Sequence, residues 1–303
     1  METEEHVEGN QEQYSLKNKI IAIIDVVVVR LVVYALIARG ILILFFGGLE
    51  TESPVAPYVI GVLWFIIPAV LILLFRRSFT AYGLTLENIK RNVDVGMSAF
   101  LIFALTFVGY IMLGPLGTSY NEPLGAIILT GIFAIVLGLI LNMLGKRSKD
   151  DETTRANHYA NVGIIAVILI APLFMAMNLG KEAAPIVSIV VWQFVFSGFG
   201  EETFYRGYVQ SRLNEAFGRP YEIRGVKFGM GLFITAFLFS LAHMLNTFDI
   251  YTLTGELAVW WGTFTFVGGL IFGLLREWSG SIVPGGLVHG LEAFGEAFGA
   301  LFS

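Results

Sequence analysis

Nine apolar segments of about 20 residues each follow one another along this chain of 303 residues. An α-helix rises 1.5 Å per residue, so about 20 apolar residues span the roughly 30 Å hydrocarbon core of a bilayer. A soluble domain of this size does not bury so many apolar helices in one core. The segments therefore predict an all-α, polytopic transmembrane helical bundle with about eight (seven to nine) transmembrane helices. They are residues 20–46, 56–75, 95–113, 124–144, 160–177, 184–212, 228–245, 257–275 and 282–301.

The composition is that of a membrane protein and excludes several functions. Hydrophobic residues make up 56% of the chain, charged residues only 14%, and the mean hydropathy is +0.74, values far from those of a soluble domain. The net charge of −5 argues against a nucleic-acid partner. The absence of cysteine excludes disulfides, thiolate metal sites, iron–sulfur clusters and cysteine nucleophiles. We therefore expect the lipid bilayer, and no nucleic acid, among the partners of the chain.

Composition divides the chain into three parts. Residues 1–15 are rich in glutamate and are predicted to be an acidic, disordered N-terminal tail, since a signal peptide would begin with basic residues. Residues 16–180 are predicted to be N-terminal transmembrane helices. Residues 181–303 contain the motifs described below and are predicted to form a further transmembrane core, which the resemblance carried by those motifs implies is catalytic.

Basic residues are concentrated in every second loop, which predicts the orientation of the chain. The basic stretches are residues 17–19, 76–91, 146–155, 212–227 and 276. The opposite loops hold only Lys181. The positive-inside rule therefore predicts an integral, multi-pass membrane protein with a cytoplasmic N-terminus, and it predicts that the mouth of the polar site described below opens on the same side.

The first apolar segment carries three charges, Asp25, Arg30 and Arg39. Charged side chains inside a span either face the bundle or extend to the membrane surface. The segment therefore predicts a helix that is partly interfacial or bundle-facing, with both arginines reaching toward the interface.

Two adjacent acids and an arginine interrupt the sixth apolar segment. Glu202 and Arg206 are four residues apart with the acid first, the better orientation for a helical ion pair. Glu201 is left without that partner, on the neighbouring face in line with Tyr205. Because an ionisable residue at membrane depth is costly, the stretch predicts a functional site.

Two histidines fall in later apolar segments. His243 ends Phe-Ser-Leu-Ala-His, with Asn246 three residues on, and His289 lies in a glycine-rich stretch that continues to Glu292. Taken alone, either histidine is explained by a hydrogen bond to a backbone carbonyl. Together with Glu201 they predict a small polar pocket suited to activating water or holding a metal.

One geometric difficulty concerns the depths of the two histidines. Along straight helices, His243 lies about 24 Å and His289 about 14 Å from the same membrane surface. The two imidazoles meet only if the linker at residues 212–227 makes its own turn, if the helices tilt, or if the segment boundaries shift.

Three motifs in order resemble those of the CAAX protease and bacteriocin-processing family, which includes the type II CAAX prenyl endopeptidases. The motifs are Glu-Glu-Thr-Phe-Tyr-Arg-Gly-Tyr-Val-Gln at 201–210, Phe-Ser-Leu-Ala-His at 239–243 and Gly-Ser-Ile-Val-Pro-Gly-Gly-Leu-Val-His-Gly-Leu-Glu-Ala at 280–293. The resemblance covers roughly the last hundred residues.

The resemblance implies an intramembrane endopeptidase that hydrolyses a peptide bond near the C-terminus of a membrane-anchored polypeptide, prenylated CAAX-type substrates included. It implies no metal and no other cofactor. Glu201 and His243 would activate the attacking water, Glu202 and Arg206 would hold Glu201 in place, and His289 would donate to the oxyanion. The family's third motif is His-x-x-x-Asn, whereas this chain has Ala293 in place of the asparagine. Candidate substitutes for that donor are Asn246, a protonated Glu292 and a nearby backbone N–H.

Several alternatives remain open from the sequence. One carboxylate and two imidazoles are compatible with zinc, although the metalloprotease His-Glu-x-x-His helix is missing. Ser240 precedes His243 by three residues, although no Gly-x-Ser-x-Gly elbow supports a serine protease. Ala293 favours a non-catalytic membrane scaffold, chaperone or bacteriocin-immunity protein of the same fold. A proton-relaying transporter fits the ionisable residues but predicts internal repeats that the sequence lacks.

Overall fold

The structure is a computed structural model that describes residues 14–49, 52–148, 153–249 and 252–302. Of the predicted acidic tail, residues 1–15, only Tyr14 and Ser15 belong to the described part. The Ser15 hydroxyl accepts a hydrogen bond from the backbone N–H of Asn18 (3.3 Å) and caps the first helix. That helix therefore begins where the acidic stretch ends.

The described residues form ten helices and two short β-hairpins. The helices are α1 (Leu16–Phe46), α2 (Ala56–Leu74), α3 (Ile89–Leu113), α4 (Pro123–Gly145), α5 (Arg155–Asn178), α6 (Ala183–Phe217), α7 (Met230–Met244), α8 (Val259–Ser279), α9 (Val283–Gly290) and α10 (Ala293–Phe302). The antiparallel strand pairs are β1 (Tyr221–Ile223) with β2 (Val226–Phe228) and β3 (Phe248–Asp249) with β4 (Thr254–Gly255). The predicted all-α class is confirmed, because the strands form only small hairpins in loops.

Seven of these helices, α1 to α6 and α8, are long and apolar enough to cross a membrane. Helix α7 is apolar but shorter. The predicted polytopic bundle is confirmed, and eight of the nine predicted segments each form one helix. The ninth, residues 282–301, does not form one helix, because it breaks after Gly290 into α9 and α10. Glycine is a poor helix former, and the polar Glu292 follows at once.

Helices α6, α7, α8 and α9 meet where the motifs lie, and α3 and α4 pack around them. Helix α8 packs mainly against α7 and α4, and α9 packs against α6 and α3. The linker after α6 forms the β1–β2 hairpin, so α7 begins only at Met230. This linker turn is one of the three conditions that the sequence analysis set for the two histidines to meet.

The three charges of α1 all contact other parts of the chain. Asp25 pairs with Arg212 on α6 (2.8 Å), and Arg39 pairs with Asp249 in the loop after α7 (3.0 Å). The Arg30 Nε donates to the Tyr205 hydroxyl on α6 (2.7 Å). Helix α1 is therefore bundle-facing. Arg30 was predicted to extend toward the membrane surface, but its side chain bonds to Tyr205 within the bundle.

The basic loops meet at one end of the bundle. Arg276 at the end of α8 donates to the carbonyl of Ala81 (2.8 Å), and the Ile282 N–H donates to the carbonyl of Gly83 (3.0 Å). Contacts of this kind join the loop after α2 to the end of α8. This agrees with the predicted alternation of loops, while the cytoplasmic assignment of that end stays a prediction.

A buried carboxylate fixes the basic end of α6 and α8. Glu277 accepts hydrogen bonds from Gln210 Nε2 (2.6 Å), Asn214 Nδ2 (2.5 Å) and Arg219 Nε (2.5 Å). Its side chain is 1% exposed, whereas that of Arg219 is 39% exposed. Glu277 thus ties α8 to two turns of α6 and to the chain that leads into β1.

Replacing Glu277 by alanine is expected to destabilise the protein by about 2 kcal/mol. The cost stays below the 3–5 kcal/mol of breaking a fully buried pair, because Arg219 regains water. Thermal unfolding in detergent measures the change as a lower Tm. Glu215→Ala is the control, since that acid is 40% exposed and 3.9 Å from Arg77 and should cost under about 1 kcal/mol. Equal Tm values for the two variants would contradict the assignment.

Candidate functional site

Helix α6 changes its winding around the two acids. Trp192–Gly200 and Thr203–Val209 form wide π-helical turns, and Glu201 and Glu202 lie between them. Such turns bond residue i to i+5 and occur often at functional sites. The sequence predicted a regular α-helix here. The direction in which Glu201 faces is set instead by these wide turns, which were not predicted.

Glycines allow α6 and α9 to approach closely. A Cβ on Gly198 would overlap the backbone of Gly290, and a Cβ on Gly285 would lie 2.7 Å from the Glu202 Oε2 atom. The Pro-Gly-Gly stretch of the third motif therefore makes room for the Glu202 carboxylate. This brings the first and third motifs into contact.

Glu202 and Arg206 form a fully buried ion pair. Arg206 Nη1 donates to Glu202 Oε1 (2.7 Å), and both side chains are 0% exposed. Arg206 Nη2 donates to the carbonyl of Gly269 on α8 (3.2 Å). The guanidinium carbon lies 4.4 Å and 5.1 Å from the ring centroids of Phe239 and Phe272, within the range of cation–π attraction. The predicted i, i+4 pair is present and joins α6 to α7 and α8.

Glu201 is half-buried and takes no part in that pair. Its Oε2 atom is buried and has no hydrogen-bond partner among the described residues. Arg30, Arg206 and His289 are close enough to act on its charge. A buried carboxylate oxygen without a protein partner is costly and is suited to binding a polar ligand such as water.

His243 lies at the end of α7 with its tautomer fixed by the backbone. Its Nδ1–H donates to the carbonyl of Phe239 (2.9 Å), which leaves Nε2 as the hydrogen-bond acceptor. The imidazole packs against the rings of Phe239 (4.5 Å between centroids) and Trp261 (5.2 Å). The hydrogen bond to a backbone carbonyl that was expected for an isolated histidine is therefore present. It occupies Nδ1 and leaves Nε2 available to act as a base.

His289 is buried on α9 between polar groups of α6. Its ring stacks on Phe272 with 4.8 Å between centroids. Nδ1 lies 3.4 Å from Glu202 Oε1, and Nε2 lies 3.4 Å from the Ser197 hydroxyl. The sequence analysis did not assign Ser197 a role. Its position four residues before Glu201 was the signal that could have done so.

The ring of Phe239 joins the separate parts of the site. It contacts His243, His289 (5.8 Å between centroids) and Tyr205 (5.2 Å), besides Arg206. Phe239 lies one turn before His243 on α7, and its ring contacts the imidazoles of both histidines. The structure thus brings Arg206, His243 and His289 around one aromatic side chain, with Glu202 held by Arg206.

The two side-chain candidates for the missing oxyanion donor, Asn246 and Glu292, differ in position. Asn246 is exposed on the turn that follows α7, and its backbone N–H donates to the His243 carbonyl (3.3 Å). Glu292 is half-buried in the break between α9 and α10. Ala293, in the place of the family asparagine, is 0% exposed and offers only a methyl group. The side chain of Asn246 has no described contact with the other site residues.

Across the described ranges, no three His, Asp or Glu side chains are placed to hold a metal ion.

Residues 183–294 match the family model described as "Type II CAAX prenyl endopeptidase Rce1-like". The match runs from the start of α6 to the start of α10 and includes all three motifs, so the resemblance drawn from them is confirmed. No curated protein and no solved structure matches the chain.

Breaking the Glu202–Arg206 pair on one side is expected to cost more stability than removing both charges. Arg206→Met leaves a buried carboxylate without its partner and should lower the free energy of unfolding by about 3–5 kcal/mol. Adding Glu202→Gln should recover part of that loss. Urea unfolding in detergent compares the two variants with the parent. A double variant as unstable as the sum of the two single variants would contradict this account.

Proposed function

Because residues 183–294 match the Rce1-like model of type II CAAX prenyl endopeptidases, we propose that this integral membrane protein is an intramembrane endopeptidase. It hydrolyses a peptide bond near the C-terminus of polypeptides that carry their own membrane anchor, with prenylated CAAX-type termini as the substrate class. The substrate enters from the bilayer, since a prenyl chain partitions there.

Glu201 and His243 activate the attacking water. The observation that carries this proposal is the buried Oε2 atom of Glu201, which has no partner among the described residues. The Glu201 carboxylate takes a proton from the water while the water oxygen attacks the scissile carbonyl carbon. His243 Nε2 accepts a hydrogen bond from the other O–H of that water. Glu201 then passes the proton to the leaving amine as the C–N bond breaks.

The remaining polar residues orient the reacting groups. Arg206 holds Glu202, and Glu202 lies against His289 Nδ1. In its imidazolium form, His289 directs Nδ1–H toward Glu202 and Nε2–H, on the side next to Ser197, toward the oxyanion. The Ser197 hydroxyl supplies the donor that the family asparagine would have supplied at position 293.

Glu201→Gln and His243→Ala are each expected to lower the rate of cleavage at least a thousandfold, because either change removes the base or its water. The substrate is an internally quenched peptide that ends in a farnesylated CAAX sequence, mixed with detergent-purified protein in the presence of a chelator. Glu296→Gln and His158→Ala are the matched controls, since both residues lie outside the site and should leave the rate within about twofold of the parent.

Two outcomes would contradict the proposal. Full activity of either site variant would remove Glu201 or His243 from the mechanism. No cleavage by a folded parent protein would favour the non-catalytic interpretation that Ala293 suggested.

A serine mechanism is the second candidate, and the Ser197 contacts favour it. Ser197 Oγ, the His289 ring and Glu202 Oε1 stand in the order hydroxyl, imidazole, carboxylate, with 3.4 Å at each step. This is the order of a catalytic triad. Against it, Arg206 already engages the Glu202 oxygen, and Ser197 lies within a π-helical turn and not on a sharp strand-to-helix elbow.

Ser197→Ala distinguishes the two mechanisms. If Ser197 is a donor to the oxyanion, the variant should retain cleavage at a rate about a hundredfold below the parent. The parent should also remain unlabelled by a fluorophosphonate probe, which forms a bond with activated serines. Covalent labelling that disappears in Ser197→Ala, together with complete loss of cleavage, would establish the serine mechanism instead.

A further inference from the structure

Arg30 is a half-buried guanidinium in the middle of α1 that makes no salt bridge with the described residues. Arg39 on the same helix pairs with Asp249, and Arg212 pairs with Asp25. A charge inside a bundle is costly unless it meets a partner. The charge of Glu201 acts on Arg30, but no carboxylate of the described residues lies within salt-bridge distance of its guanidinium.

The surroundings of Arg30 hold the side chain without neutralising it. Its Nε donates to the Tyr205 hydroxyl (2.7 Å), and its guanidinium carbon lies 5.2 Å and 5.3 Å from the ring centroids of Tyr34 and Trp64. Those two rings stack on each other at 4.4 Å. Phenol and π-face contacts stabilise a cation but leave its charge in place. The arginine is thus fixed in one orientation.

One edge of the guanidinium remains for a ligand. The Nε side is engaged by Tyr205, whereas the two terminal nitrogens form no hydrogen bond with the described part of the chain. Two parallel N–H groups on a planar guanidinium match the two oxygens of a carboxylate. The chemistry of this edge selects a carboxylate over a single-oxygen anion.

Arg30 also lies near the proposed catalytic groups. Tyr205 packs edge-on against Phe239 (5.2 Å), and Phe239 packs against His243 (4.5 Å). A carboxylate bound at Arg30 is therefore separated from His243 by two aromatic rings. An extended peptide covers roughly 3.3 Å per residue, so the chain between that carboxylate and the scissile bond is a few residues long.

We propose that Arg30 binds the free C-terminal carboxylate of the substrate and so sets the distance of cleavage from the chain end. The inference rests on the proposed endopeptidase function and deepens it, because it names the group by which the substrate is recognised. Arg30 contacts the substrate but not the reacting bond, and it acts as a specificity-determining residue.

The test compares two farnesylated CAAX peptides that differ only at the C-terminus, one a free acid and the other a primary amide. Binding is measured by fluorescence anisotropy in detergent on Glu201→Gln protein, which keeps the peptides intact, and kcat/KM is measured on the protein with Glu201. The acid should bind roughly tenfold to a hundredfold more tightly than the amide, the range for a charge-assisted hydrogen-bonded pair.

Arg30→Gln should abolish that preference by weakening acid binding to the level of the amide, while amide binding stays unchanged. The unchanged amide binding also shows that the variant is folded. Arg39→Gln is the matched control, because it removes an arginine from the same helix and should keep the full preference for the acid. Arg30→Lys keeps the charge but not the two-pronged edge, and should restore only part of the preference.

Three results would overturn the inference. The first is equal binding of the acid and the amide by the protein that retains Arg30. The second is an undiminished preference for the acid in Arg30→Gln. The third is an equal fall in kcat for both peptides in Arg30→Gln, because that result would assign Arg30 to the oxyanion. Failure of the endopeptidase function itself is separate, because it appears as absent hydrolysis of both peptides whatever their relative affinities.

Discussion

A charge inside an apolar bundle must be met by a partner, and this requirement ties the helices of the protein together. Glu202 is met by Arg206 within α6 and approached by His289 from α9, while Asp25 of α1 is met by Arg212 of α6. Where water is scarce, a missing partner costs far more than it does at a surface. The polar contacts therefore fix how α1, α6 and α9 sit relative to one another.

Several polar atoms in and near the site still lack a hydrogen-bond partner among the described residues. They include the Oε2 atoms of Glu201 and Glu202 and the terminal nitrogens of Arg30, and His243 adds an acceptor nitrogen that its backbone bond leaves available. The ring of Phe239 stands between His243, His289 and Arg206. An apolar ring at this point prevents the histidines and the arginine from bonding to one another. Their capacity for hydrogen bonds is thereby kept for a ligand.

Local features were predictable from the sequence, and contacts between distant residues were not. Length and apolarity predicted eight of the helices, and the i, i+4 spacing predicted the Glu202–Arg206 pair. The bond between Arg30 and Tyr205 joins residues 175 positions apart, and no periodicity reports such a contact. The break of the ninth segment into α9 and α10 was missed for another reason. The segment carries His289, Glu292 and Glu296, but its average hydropathy is still that of an apolar segment, which hides the effect of its glycines.

The wide turns of α6 have a consequence for comparing this chain with its relatives. A π-helical turn accommodates an extra residue compared with an α-helical one. Deleting one residue from Trp192–Gly200, together with a return to regular α-helical winding, would therefore leave the facing of Glu201 nearly unchanged. A relative that lacks one of the wide turns is expected to have one residue fewer in this stretch. A one-residue gap in an alignment here is thus compatible with the same arrangement of both acids and the arginine.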